Sequence, residues 1–200
     1  MSGHFLRFAL AWLVSICVGC TSAPVRYYTL TPSRDQTFPP SETTLAIDVR
    51  MVHTPPQLNR AGLMVRTGPA EMTLLENERW ASPVNDEIKD ALRVELQRRL
   101  GRMAGLRPAS TKLVLDMDVQ HFEAELGRHA LLEASWSATL SATGQRSNGP
   151  RTTTCTFKAE ENIHPGYAGM VEGYQRAIAA LADAIVAVLT SAESGVDAFH

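Results

Sequence analysis

The chain has 200 residues, with 19 Lys and Arg against 21 Asp and Glu and a formal net charge of −2. So slight an imbalance offers no basic face for nucleic acid, whose binding begins with its phosphates. Three cysteines exclude a disulfide scaffold, and the length accommodates one domain with a sizeable core.

Residues 8 to 18 form an apolar run, preceded by Arg7 and followed by small residues. A helix needs about 20 apolar residues to cross a bilayer, so the run is too short to span. Charge, apolar core and small residues in that order are the pattern of a secretory signal. Val18-Gly19-Cys20 resembles the lipobox that is cut just before a diacylglyceryl-modified cysteine in bacterial lipoproteins, with Cys17 where leucine is usual. The expectation is a signal peptide over 1–19 and an acylated Cys20, with cleavage after Ala23 as the alternative. Several fatty chains, at about 0.8 kcal/mol per buried CH₂, make a stable anchor where one chain is marginal. In the lipoprotein sorting logic of Gram-negative bacteria, an Asp after the cysteine retains the product in the inner membrane. Thr21 stands there instead and favours the outer membrane.

Residues 20–42 read as the lipidated terminus, a first strand in "VRYYTL", and a Pro/Ser/Thr-rich linker, "TPSRDQTFPPSE". From residue 45, Leu45, Ile47, Val49 and Met51 alternate with Ala46, Asp48, Arg50 and Val52, which predicts a strand buried on its odd-numbered side. "LMVRT" and "EMTLLE" straddle Gly68-Pro69 and read as a hairpin.

Ser82 and Pro83 predict a helix over roughly 83–100, the Ser hydroxyl capping a first-turn N–H and Pro standing at the first helical position. Its apolar stripe is Val84, Ile88, Ala91, Leu92, Leu96 and Leu100, with Glu95 and Arg98 facing outward. Asp86 and Glu87 suit the positive end of the helix dipole.

Leu113, Leu115, Met117 and Val119 then alternate inward, but Phe122, Ala124 and Leu126 have the opposite parity. A bulge near Gln120-His121 accounts for the switch. After a turn at Gly127-Arg128, Ala130, Leu132, Ala134, Trp136, Ala138 and Leu140 share one side, which predicts a long antiparallel hairpin. "GQRSNGP" is a loop by composition, and "RTTTCTFKAE" a partly exposed strand.

The last element begins after His164-Pro165-Gly166 and runs to about residue 191, its stripe including Met170, Tyr174, Ile178, Leu181 and Ile185. Glu172, Gln175, Arg176 and Asp183 interrupt it, which argues against a membrane span because each mid-span charge costs about 2.5 kcal/mol or more. The order predicts an α+β fold, a mainly antiparallel sheet with two long helices packed on one face. A single domain covers 43–192, and residues 193–200 form a frayed tail.

Beyond the signal segment and Cys20, no HExxH, CxxC, GxSxG or P-loop pattern occurs. Asp116, Asp118 and His121 are the best available metal or acid–base constellation, although solvated polar positions opposite the core explain them as well. His53, His129 and His164 flank turns or loops, and Cys155 reads as a small half-buried strand residue without a nearby partner for nucleophilic chemistry. The expectation is a protein without cofactor or metal that binds or adapts and is not an enzyme. Trp80 is either a core aromatic at the start of the helix or, with Arg79, part of a contact surface, since Trp and Arg are enriched at interaction hot spots.

Leu58-Asn59-Arg60 and Arg79-Trp80-Ala81-Ser82-Pro83, together with "RYYTL", "LVLDMDVQHFEA", "EASWSATL" and "YQRAIAALADAI", resemble the ABC-type transport auxiliary lipoproteins. Asn59 and Ser82 stand where acidic residues are expected, and Gln57 where an aromatic is common. The resemblance implies an outer-membrane lipoprotein facing the periplasm, working in lipid transport with a periplasmic MCE-domain protein and its inner-membrane ABC-type partners. Arg60, Arg79 and Trp80 are the candidate partner contacts, and a homo-oligomeric ring would suit the symmetry of a lipid tunnel. Two rivals remain. A periplasmic hydrolase would need a cleft with perturbed carboxylates such as Asp116 and Asp118, and a solute-binding lipoprotein an enclosed apolar pocket.

Overall fold

The computed structural model describes residues 23–32, 46–100, 111–142 and 149–194. Cys20, the linker at 33–42, most of the loop at 144–150 and the tail beyond 194 lie outside the described residues. Strands β1 (Arg26–Tyr28), β2 (Ala46–His53), β3 (Gly62–Gly68) and β4 (Glu71–Trp80) precede helix α1 (Val84–Leu100). Strands β5 (Thr111–Glu125), β6 (His129–Ala142) and β7 (Arg151–Asn162) follow, and helix α2 (Tyr167–Ser194) closes the fold.

The strands form two sheets, one in the order β1-β4-β3 and one in the order β2-β5-β6-β7. The fold is α+β as the pattern predicts, but both sheets are mixed. β1 runs parallel to β4 and β2 runs parallel to β5, while β3–β4, β5–β6 and β6–β7 are antiparallel. A two-residue alternation specifies which side of a strand is buried and says nothing of its neighbour's direction. The direction follows from the path: the β3–β4 hairpin and α1 intervene between β2 and β5, and such a crossover lets two strands run the same way.

β5 and β6 match the expected parity except at Leu126, which lies past the end of β5 in the turn and is 37% exposed. Leu113, Leu115, Met117 and Val119 are buried, the register shifts between Val119 and His121, and Phe122 and Ala124 are then buried in turn. Gly127 takes the turn with φ 71°. β2 departs from its predicted parity. A register shift between Val49 and Met51 carries Val52 inward and leaves Met51 44% exposed, so a bulge at Arg50 overturns the assignment of Met51 to the core.

α1 buries its whole predicted stripe. Its first turn differs from the expected cap, because Pro83 supplies the carbonyl that accepts the amides of Asp86 and Glu87, and the Ser82 hydroxyl donates to the Glu87 carboxylate. Glu95 also departs from expectation. It is buried, and its carboxylate pairs with both Arg98 (2.6 Å) and Arg99. Arg99 continues across to α2, where it donates to Asp183 Oδ1 (2.5 Å) and to the Ala179 carbonyl (2.9 Å).

α1 touches β2 and α2, and α2 touches β6 and β7. By length and composition Tyr167–Ser191 is apolar enough to cross a membrane. In the fold, Met170, Tyr174, Ala177, Ile178, Leu181 and Ile185 are buried in the body. The approach is close at Gly173, where a Cβ would lie 2.3 Å from Ile163 Cγ2 and 3.3 Å from Ala130 Cβ.

Candidate functional site

The two segments that carry the arginines meet in the small sheet. Trp80 donates its backbone N–H to the Ala61 carbonyl (3.0 Å), and Gly62 stands opposite Arg79. Gly62 has room there only because it lacks a Cβ, which would lie 2.5 Å from the Leu75 carbonyl oxygen. Just ahead, a single 3₁₀ turn over Pro56–Leu58 ends with the Arg60 N–H donating to the Leu58 carbonyl (2.8 Å). This places the exposed Arg60 beside the end of β4.

Successive strand residues face opposite ways, so Arg79 and Trp80 divide their tasks. Arg79 is half-buried on the outer face, its Nε donating to the Glu76 carbonyl (2.8 Å). Trp80 is buried, with its ring centre 6.1 Å from that of Phe122 on β5 and 6.3 Å from that of Tyr174 on α2. Of the two readings offered for the indole, the fold places it in the core.

Two buried carboxylates that the sequence did not single out as a pair hold the amino-terminal segment to this block. Glu78 on β4 accepts from Arg26 Nε at 3.0 and 3.1 Å, from Arg26 Nη2 at 2.5 Å, and from the Tyr28 hydroxyl at 2.7 Å. The Arg26 hydrogen bonds hold the Glu78 carboxyl below the usual carboxylate range. Burial and the hydrogen bond to Glu78 push the Tyr28 phenol up. Glu87, in the first turn of α1, accepts from the Thr29 hydroxyl and the Leu30 amide, both at 2.8 Å. Its second oxygen accepts from the Ser82 hydroxyl at 2.8 Å and the Ser82 amide at 3.1 Å. Four donors satisfy one desolvated carboxylate, which makes its burial tolerable.

Parity alone offered a signal for Glu78. It lies two residues before the buried Trp80 on the central strand of the small sheet, and an inward carboxylate demands a cation from a neighbouring strand. Glu87 was read as a partner of the helix dipole, which concealed its role as an acceptor for a distant loop.

The other candidates do not come together as a site. Asp116 accepts from Arg50 Nε at 2.9 Å and from Arg50 Nη2. His121 Nδ1 lies 3.2 Å from Glu133 Oε2, and Asp118 stands in the ladder between His53 and Ser135. Among the described residues, no group of three or more His, Cys, Asp or Glu side chains could hold a metal ion. His129 Nδ1 is 3.8 Å from Glu160 Oε1. Cys155 is a free, half-buried thiol opposite Trp136, whose indole N–H is buried without an acceptor among the described residues.

A search of curated proteins gives no match. Among solved structures, one described only as an uncharacterized protein superposes with a TM-score of 0.62 at 20% identity, covering 84% of this chain and 99% of its own. Protein XCC0632 from Xanthomonas campestris superposes with a TM-score of 0.50 at 17% identity, over 85% of this chain and 99% of its own. At such identities the likeness is one of fold. The model of the ABC-type transport auxiliary lipoprotein component matches residues 28–186, from the Tyr28 that grips Glu78 to the last turns of α2. A match of that extent takes in both arginine segments and the two buried carboxylates, Glu78 and Glu87, and by it the chain belongs to the family of ABC-type transport auxiliary lipoproteins.

Proposed function

We propose that this protein is a non-catalytic adaptor of an envelope lipid-transport system. It is acylated at Cys20, held on the periplasmic face of the outer membrane, and docks a periplasmic MCE-domain protein that works with an inner-membrane ABC-type transporter. Arg60 and Arg79 present the contact surface, and Trp80 braces it from beneath. Self-association into a ring would match the symmetry of a tunnel-forming partner.

The observation that carries this reading is the clamp on the amino-terminal segment. An adaptor must transmit position from its anchor to its docking face. Here the segment leading from Cys20 is bound through Glu78 to β4, the strand that ends in Arg79 and Trp80. The candidate carboxylate Asp116 is engaged in an ion pair with Arg50, which holds it in a structural role.

The test replaces Arg60 with the photo-crosslinking residue p-benzoylphenylalanine in intact cells, followed by mass spectrometry of the captured protein. An MCE-domain protein is the expected product, lost when Arg79→Ala is added. Capture that never includes an MCE-domain protein would reject the assignment of the partner.

A further inference from the structure

We infer that the patch formed by Tyr27 on β1 and Val25 just ahead of it lies against the phospholipid surface into which the acyl chains of Cys20 insert. The inference rests on the acylation of Cys20 proposed above.

Three observations lead to it. Tyr27, within β1, is 65% exposed, and Val25, directly ahead of the strand and two residues away, is 42% exposed. Most large apolar side chains in the described residues are buried, and an exposed tyrosine beside an exposed valine is the composition of the membrane–water boundary, where aromatic rings settle at headgroup level.

The second observation is reach. Val25 follows Cys20 by five positions, and an extended chain spans at most about 3.6 Å per position, or ~18 Å in all. A tether so short keeps the patch at an effective concentration of millimolar order at the surface, so even a weak interfacial preference is satisfied.

The third is orientation and charge. Arg26 between the two residues is turned to the opposite side and bound to Glu78, so β1 is fixed in rotation and brings no uncompensated carboxylate to the anionic headgroups. On the outer face, the ladder position paired with Tyr27 is Arg79, whose cation is compatible with lipid phosphate. The β1 end of the small sheet's outer face is then toward the bilayer and its β3 end, with Arg60, toward the partner; Arg79 stands between.

The full acylated chain, reconstituted in phosphatidylethanolamine–phosphatidylglycerol vesicles, provides the test. Tyr27→Trp introduces an exposed indole, and the difference from the unsubstituted chain isolates its emission from the buried Trp80 and Trp136. The expected result is a blue-shifted emission, quenched by lipids carrying a nitroxide at a shallow acyl position and protected from aqueous iodide. Leu74→Trp, at a position 43% exposed near the far end of β4, is the control and should show the reverse.

Iodide quenching without nitroxide quenching at residue 27 would overturn the proposal. So would shielding from both quenchers, which would mean a protein contact, and so would equal nitroxide quenching at residues 27 and 74, which would mean no preferred face. Flotation of the chain with the vesicles is measured in the same samples. A chain that floats without quenching at residue 27 loses this contact alone. A chain that does not float, and whose Cys20 carries no acyl mass, loses both the anchor and the contact.

Discussion

Phe122 of β5 and Tyr174 of α2 lie face to face, their ring centres 3.9 Å apart and their planes 12° from parallel. Trp80 of β4 approaches both rings at a tilt, so three aromatic residues tie the small sheet, the large sheet and the closing helix together. Phe122 reaches this place because the β5 bulge reverses its parity. Truncating Trp80 or Phe122 to Ala leaves a cavity where three elements join, and each substitution should cost about 3–5 kcal/mol in urea unfolding. The double variant should cost less than the two together, because the rings share one contact. Arg60→Ala, an exposed change, should stay within about 0.5 kcal/mol of the unsubstituted protein while weakening partner capture.

Glu87→Ala removes the acceptor shared by the Thr29 and Ser82 hydroxyls and the Leu30 and Ser82 amides, and leaves the amide of the buried Leu30 unpaired. The expected loss is about 2–3 kcal/mol of stability. It should come with faster amide exchange at Leu30, whose amide the carboxylate now protects; unchanged exchange there would contradict the clamp.

Acid should release β1 first. Glu78 titrates below its ordinary value of 4.5 in the folded protein because Arg26 hydrogen-bonds the ionised form. Its contribution to stability is therefore complete above 4.5 and falls away as pH drops through the lower folded-state value. Stability measured between neutral and strongly acidic pH should decline along this limb. In Glu78→Gln the decline should be shallower and the neutral-pH stability lower. An identical acid limb in both proteins would contradict the assignment.

Gly173→Ala forces a methyl group into the side chain of Ile163. Overpacking of this kind costs about 1–3 kcal/mol, which in a protein of this size lowers Tm by about 2–4 °C per kcal/mol. Adding Ile163→Ala should recover part of the loss by opening the space; a deeper loss in the double variant would place the strain elsewhere.

The elements legible in advance are those whose partners are close in sequence or whose pattern repeats. The α1 stripe, the β5–β6 parities with their bulge, and the face of α2 all follow from spacing alone. Strand direction does not, because a parallel and an antiparallel neighbour leave the same alternation. The bulge at Arg50 was hidden because Leu45 to Met51 alternates correctly up to the residue where the register shifts. The buried acids were hidden for another reason. Arg26 and Glu78 are 52 residues apart, and Thr29 and Glu87 are 58 apart, so neither pair has a local signature. The arginine segments were found through likeness, and the backbone pairing of Ala61 with Trp80 explains why they occur together.

The clamped amino-terminal segment also bears on mechanics. A pull on residues 23–25 enters β1 and runs through Arg26 into β4, and through Thr29 and Leu30 into the first turn of α1. A pull along the axis of β1 loads its backbone bonds to β4 in shear, together, whereas a pull across the sheet would peel them singly. Force entering at the amino-terminal segment is thus shared between two carboxylates, one on a strand and one on a helix.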